Sequence, residues 1–449
     1  MYSNKNQNFN NPDVLSEVAE KVLHIAKQKG LTEIEISLFG GEGIETSVRD
    51  NTCESIEHQK DKSIAITVYQ SGRKGTAKSS DFSINSINST IESAATIAGY
   101  SEADPYAGLI EKKYLCKKAI NLDLDYPWDI EIDEMVQIAA RAEISALDAS
   151  AQTLRSDGVH VSKYRGAKVY ANSLGFNQGY QSTRHSLSAI MIAENGPNEK
   201  QKGYWSSSHR DPTKLMSPEE IGTLSCRRAE GKLNAKKIPT GQYAILFEPR
   251  VSAGIFGHVL SALSGKAQYE KNSFLADSLG KIVLPTFISI SEDPHLQTGP
   301  SSAPFDSDGM GTMQKDFVRH GCVKNYALGG YAARKLKMEP TGNSGGCFNI
   351  AVNGGEYNQK ELIQATRSGL LITDLMGFGV NLLTGDYSRG ASGFLIENGE
   401  LVHAVEEITI AGNLKEMLMG ITQIGNDEDI EASIKVGTLC IDSMTVAGG

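Results

Sequence analysis

The chain has 449 residues, a net charge of −10, 40% hydrophobic and 22% charged side chains. That length exceeds what a single hydrophobic core organises, so two or three domains are expected, and the acidic balance works against a nucleic-acid partner. No stretch approaches the ~20 apolar residues of a membrane span, and six scattered cysteines without a C-x-x-C pair read as free thiols of a reducing, cytoplasmic compartment.

Met1 to Asn11 is Asn-rich and lacks the apolar core of a signal peptide. Residues 1–12 therefore read as a mobile tail. From Pro12, the residues Val14, Leu15, Val18, Val22 and Leu23 recur at helical spacing, and Gly30 supplies a stop. Ile34, Ile36 and Leu38 then alternate as a half-buried strand, and Gly40–Gly41 reads as a turn. Strands follow near 45–49 and 63–69. Ser71-Gly72-Arg73-Lys74-Gly75 reads as a hairpin turn, and Ile84, Ile87, Ile91 and Ala94 mark a second amphipathic helix.

A loop-rich stretch with Pro105 and Pro127 leads to a third helix near 133–149 and then to strands at 159–164, 167–171 and 176–193. Ser217-Pro218-Glu219-Glu220 is a helix start with a capping box. Past Pro239-Thr240-Gly241 the chain alternates strand-like runs and Gly turns, apart from a helix at 251–263. No short-period repeat is visible. These patterns predict an α+β protein: an N-terminal α/β sandwich-like domain (13–128), a central region (129–237) and a β-rich, mainly antiparallel C-terminal domain (238–449).

Chemical motifs are sparse. A helical H-E-x-x-H sets two imidazoles on one helix face around one zinc, yet no two of the nine histidines lie within a helical turn of each other. A site assembled from distant ligands stays open. His258 is either a hydrogen-bonded histidine at a packing contact or a residual acid/base group. Gly342-Asn343-Ser344-Gly345-Gly346 fits G-x-S-x-G, but it has a strand after it where a nucleophile elbow needs a helix, so a Gly-rich loop is the better reading. Gly385-Asp386-Tyr387-Ser388-Arg389-Gly390 has phosphate-loop glycine spacing without the lysine, Ala391 standing there instead. It is either a functional loop or a turn held by an Asp386–Arg389 interaction. Asp306-Ser307-Asp308-Gly309 lacks the distal ligands of a calcium loop and reads as an Asx turn.

Several blocks together resemble the TldD/PmbA family, on its PmbA (TldE) side. They are Gly72-Arg73-Lys74-Gly75, Ser182-Thr183-Arg184-His185-Ser186, Asp277-Ser278-Leu279-Gly280, Pro304 to Gly309, Gly385 to Ala391 and Glu407 to Leu414. The resemblance runs from about Asp13 to the end. It implies a cytoplasmic TldD–TldE heterodimeric metallopeptidase acting on unfolded peptides, such as microcin precursors or antitoxins, with a historical link to DNA gyrase modulation. The TldD-type sibling carries H-E-x-x-x-H on the helix that opens its C-terminal domain. The matching stretch here reads Phe256-Gly257-His258-Val259-Leu260-Ser261, without the histidine pair or the glutamate.

The resemblance therefore implies a subunit with no catalytic residue and no metal ligand of its own, zinc being expected in a TldD-like partner. His258, Asp386, Tyr387 and Arg389 are the candidate substrate- or partner-contacting residues. The alternative is a non-catalytic regulatory or peptide-binding scaffold, homodimeric when alone. Neither reading involves nucleic acid or a membrane.

Overall fold

The computed structural model describes residues 8–196 and 199–448. The first half consists of two runs with the same order of elements. The first is α1 (Pro12–Gln28), β1 (Ile34–Arg49), β2 (Thr52–Gln70), β3 (Arg73–Ser79) and α2 (Ile84–Tyr100). The second is α3 (Ile132–Ala149), β4 (Thr153–Asn172), β5 (Asn177–Glu194), β6 (Lys200–His209) and α4 (Pro218–Glu230). Their strands form one antiparallel sheet in the order β3-β2-β1-β4-β5-β6, so β1 and β4 make the seam between the runs. The sheet thus crosses the expected 128/129 boundary without a break.

Alternation decides which face each side chain takes. Ile34, Ile36 and Leu38 of β1 share a face with Val48, and Val159 and Val161 of β4 share it with Val169. One end of that face is buried by α1 and α2, the other by α3 and α4. Burying each such aliphatic side chain contributes about 1.5–3 kcal/mol.

Gly40 and Gly41 are not a turn. β1 runs straight through them, paired in register with β2 and β4 on either side, and a Cβ on Gly40 would strike the Phe9 backbone and one on Gly41 the Tyr164 side chain. Glycine here permits close approach rather than chain reversal. Of the expected tail, residues 1–7 lie outside the described residues, while Phe9 and Asn10 are buried, Phe9 packing edge-on against Phe82.

The second half comprises β7 (Gly241–Phe247), α5 (Pro249–Ala262), α6 (Gly265–Tyr269), β8 (Ile290–Glu292), β9 (Lys315–Arg319), β10 (Cys322–Val323), α7 (Gly330–Leu336), β11 (Ile350–Val352) and α8 (Gln359–Ala365). It continues with β12 (Ser368–Met376), β13 (Asp386–Glu397), β14 (Glu400–Asn413), α9 (Leu414–Met419), β15 (Ile421–Ile424), β16 (Ile434–Lys435) and β17 (Leu439–Ala447). Strands β14-β13-β12-β7-β17 form a sheet that β14–β17 pairing closes into a barrel, with β15 attached to β17. β7–β12 is its parallel pair. A smaller sheet, β10-β9-β8-β11-β16, lies beside it. Helix α5 packs Ile255, Phe256 and Val259 into the same core as Ile245, Phe247, Leu370 and Ile410 of the barrel strands. The α+β class and the mainly antiparallel, β-rich second half agree with the sequence reading.

Candidate functional site

The face of the first sheet turned away from its helices carries Glu35, Tyr69 and Tyr170, and it meets the second half through Tyr170, Phe176 and Phe305. Beside this contact lies a cleft of about 810 Å³. Glu35, Lys74 and Asp104 line one side, and Asp308, Tyr331 and Ser344 the other. Glu35 accepts hydrogen bonds from the Tyr69 and Tyr170 hydroxyls, each at 2.9 Å. Burial nonetheless raises its pKa, with the two phenols opposing that shift and the Asp308 charge adding to it.

Across the cleft, the 306–309 turn is organised by its own carboxylates. Asp306 Oδ1 accepts from the backbone N–H of Asp308 at 2.9 Å and of Met310 at 3.0 Å. This is the Asx turn read from the sequence. Asp306 Oδ2 accepts from the Ser344 N–H at 2.9 Å. Burial, then the Asp308 charge, pushes the Asp306 carboxyl up to about 7 against these N–H donors. Asp308 accepts from the Ser344 hydroxyl at 2.8 Å and from the Gly330 N–H, the first residue of α7, at 2.7 Å.

Ser344 is thus a donor to a carboxylate in a Gly-rich loop, with no histidine in its hydrogen-bond set, so the loop reading of G-x-S-x-G holds. That loop is fixed from behind by Glu292, which is buried, pairs with Lys315, and accepts from Asn343 Nδ2 and the Phe348 N–H. The cleft therefore presents carboxylates, phenols and two lysines, Lys74 and Lys266, to whatever enters it, and the Ser344 hydroxyl has a carboxylate beside it but no imidazole base among the described residues.

The four residues singled out from sequence divide. The block 385–390 is not a loop: from Asp386 onward it is β13. On a strand, residues two apart share a face and residues three apart do not. Tyr387 and Arg389 accordingly face His258 of α5, with the His258 and Tyr387 ring centroids 6.4 Å apart. Asp386 points the other way and bonds to the Thr384 hydroxyl at 2.6 Å and to Asn413. The expected Asp386–Arg389 interaction is absent. His258 Nε2, the Tyr387 hydroxyl and Arg389 Nε are buried without hydrogen-bond partners among the described residues. Burial, then the Arg389 charge, lowers the His258 pKa, and burial raises the Tyr387 phenol to about 12.

This is a poor zinc environment. Tetrahedral zinc takes several N, S or carboxylate ligands, whereas His258 is one imidazole beside a phenol and a guanidinium cation that would repel a dication. Among the described residues no three His, Cys, Asp or Glu side chains are grouped to hold a metal ion. The residues present do not fit the metal.

The cleft residues Glu35, Asp308 and Ser344 escaped sequence reasoning as a set. Two of the blocks carrying the resemblance, 72–75 and 304–309, do border the cleft. They were visible as pattern, but nothing in the spacing showed that they meet.

Three family descriptions cover the chain: PmbA/TldA metallopeptidase domain 1 over residues 34–98, the central domain over 125–233 and the C-terminal domain over 240–448. Metalloprotease PmbA of Escherichia coli O157:H7 is 40% identical, the match covering 97% of this chain and 96% of that protein. A crystal structure described as a putative modulator of DNA gyrase from Bacteroides thetaiotaomicron superposes with a TM-score of 0.89 at 24% identity, covering 96% of this chain and 98% of that one. TldE from Thermococcus kodakarensis superposes at 0.82 with 20% identity, covering 96% and 100%. Those two likenesses speak for the fold, and the E. coli relative together with the family descriptions for descent. The chain belongs to the PmbA/TldD metallopeptidase family.

Proposed function

We propose that this chain is the TldE-type subunit of a cytoplasmic two-subunit peptidase that degrades or processes unfolded peptides. In this reading a TldD-type partner supplies zinc and the hydrolytic step, and this chain shapes the peptide chamber and stabilises the partner. The observation that carries it is the α5–β13 pairing. The helix that would hold metal ligands in a TldD-type chain here presents His258 alone, against Tyr387 and Arg389. A second observation supports a partner. Phe378, Met376 and Leu383 stand exposed around the β12–β13 connection, next to the strand that carries Tyr387 and Arg389. Apolar groups clustered in this way commonly mark a protein contact.

Co-expression with a TldD-type chain from the same cell tests the proposal. The expected result is a stable complex that holds near-stoichiometric zinc and cleaves an unfolded protein such as denatured casein, while this chain alone does neither. Near-stoichiometric zinc and peptidase activity in the isolated chain would sink it. Recovery from the native cell without any TldD-type chain would favour a regulatory or peptide-binding scaffold instead.

A further inference from the structure

The four helices of the first sheet cover its two ends and leave the middle of that face open. Two cross-strand rows lie there, astride the β1–β4 seam. One is His58–Ile44–Lys163–His185 and the other Lys60–Glu42–Arg165–Thr183. The connection through Pro127 and Trp128 walls this gap into a cavity of about 510 Å³, separate from the cleft on the opposite face.

The charges in the cavity are unevenly matched. Arg165 is held by both oxygens of Asp125, at 2.9 and 2.6 Å, and Lys60 faces Glu42 at 4.0 Å. Lys163 has only carbonyl oxygens, Ile130 at 2.6 Å and Trp128 at 3.4 Å, and no carboxylate partner among the described residues. A cation held by neutral acceptors keeps its charge available to an anion.

His185 supplies the second observation. It is 1% exposed, lines the cavity and packs edge-on against Trp128, with ring centroids 5.4 Å apart. Its Nε2 lies 2.8 Å from the Tyr126 carbonyl oxygen. A carbonyl only accepts, so Nε2 carries the proton. Burial lowers the pKa and so favours the neutral ring. Nδ1 is therefore a bare lone pair, and it is buried without a partner among the described residues. Such an acceptor costs stability until a donor reaches it.

Lys163 and His185 are direct cross-strand neighbours, and side chains so paired stand roughly 5 Å apart at Cβ. The cavity thus calls for a negative group and an N–H or O–H donor a few ångströms apart, beside the apolar surface of Ile44 and Trp128. The last residue of a peptide has both, since its carboxylate and its amide N–H flank one Cα. We propose that this cavity binds the C-terminal end of a peptide, with the carboxylate on the Lys163 ammonium and the last amide N–H on His185 Nδ1. The assignment goes beyond the subunit proposal and needs neither metal nor partner, so the two stand or fall separately.

The test uses the full chain alone and N-acetyl-alanyl-alanine as the probe, by calorimetry and by tryptophan fluorescence. The chain has two tryptophans, so Trp205→Phe leaves Trp128 as the sole reporter. The free acid is expected to bind, and its C-terminal amide and its form N-methylated at the last amide about ten-fold more weakly or worse. Lys163→Met should abolish the preference for acid over amide. His185→Phe should abolish the preference for N–H over N-methyl. Equal binding of acid and amide, inorganic phosphate binding as tightly as the acid, or no saturable binding in the millimolar range would each overturn the proposal. If a variant fails to fold, comparison of the three ligands on the unaltered chain decides.

Discussion

Asp306 shows how the cleft stores a titration. In the folded chain its carboxyl titrates at about 7, against an ordinary value of 3.8, because it is buried beside Asp308. Between those two pH values the folded state holds more protons than the unfolded one, so this group makes stability fall as pH rises across that window. Denaturant midpoints measured from about pH 4 to about pH 8 should decline less, or rise more, with pH in Asp308→Asn than in the unaltered chain, because the nearest like charge is removed. At this scale, legibility in the sequence followed from geometry. His258 stands out because its helix matches the sibling's zinc helix, and Tyr387 and Arg389 because they lie in a recognisable block, but their meeting is visible only in the fold. Glycine spacing alone suggests a loop that would put Asp386 beside Tyr387 and Arg389. The parity of a strand separates it, and parity is visible only once the strand is known.

Elements depend on small residues where helix and sheet touch. A Cβ on Gly75 of β3 would collide with the backbone of α2 at Ala94 and Ala98. A Cβ on Gly203 of β6 would collide with α4 at Ser225 and Ala229. In each run an edge-strand glycine meets two small residues one helical turn apart. Gly203→Ala should therefore destabilise the chain by about 1–3 kcal/mol through overpacking, read as a lower urea midpoint with the m-value unchanged. Helices such as α4 were legible from capping residues and apolar spacing, since both signals are local. The hairpin turn at Ser71–Gly72 was legible because both residues take positive φ, 51° and 74°, and the composition advertises it. The length of β1 was not legible. Gly40 and Gly41 look identical in sequence whether they reverse the chain or let Phe9 and Tyr164 approach it.

The whole molecule is a helix-covered sheet joined to a barrel, and the exposed Phe378 belongs to this scale. If the β12–β13 connection receives a TldD-type chain, Phe378→Asp should leave the isolated chain as stable as before and abolish co-purification of the partner. A stability loss with the partner retained would place the contact elsewhere. The α+β class was readable from patterning, but the doubling of the first half was not. The two runs share element order and the glycine–helix contact while their residues differ, and a sequence without a short period does not betray that.

The seam between the doubled runs also has a consequence in time. β1 pairs along nearly its whole length with β4, whose last residue, Asn172, is synthesised long after Arg49 ends β1. At ribosomal speed that interval is on the order of ten seconds. Throughout it the nascent chain exposes one bare edge of a long strand, the kind of template that recruits neighbouring chains. The glycines at 40, 41 and 43 weaken the intrinsic tendency of that edge to pair. The same residues that let Phe9 and Tyr164 pack closely in the finished protein also keep β1 a poor template until its own partner strand leaves the ribosome.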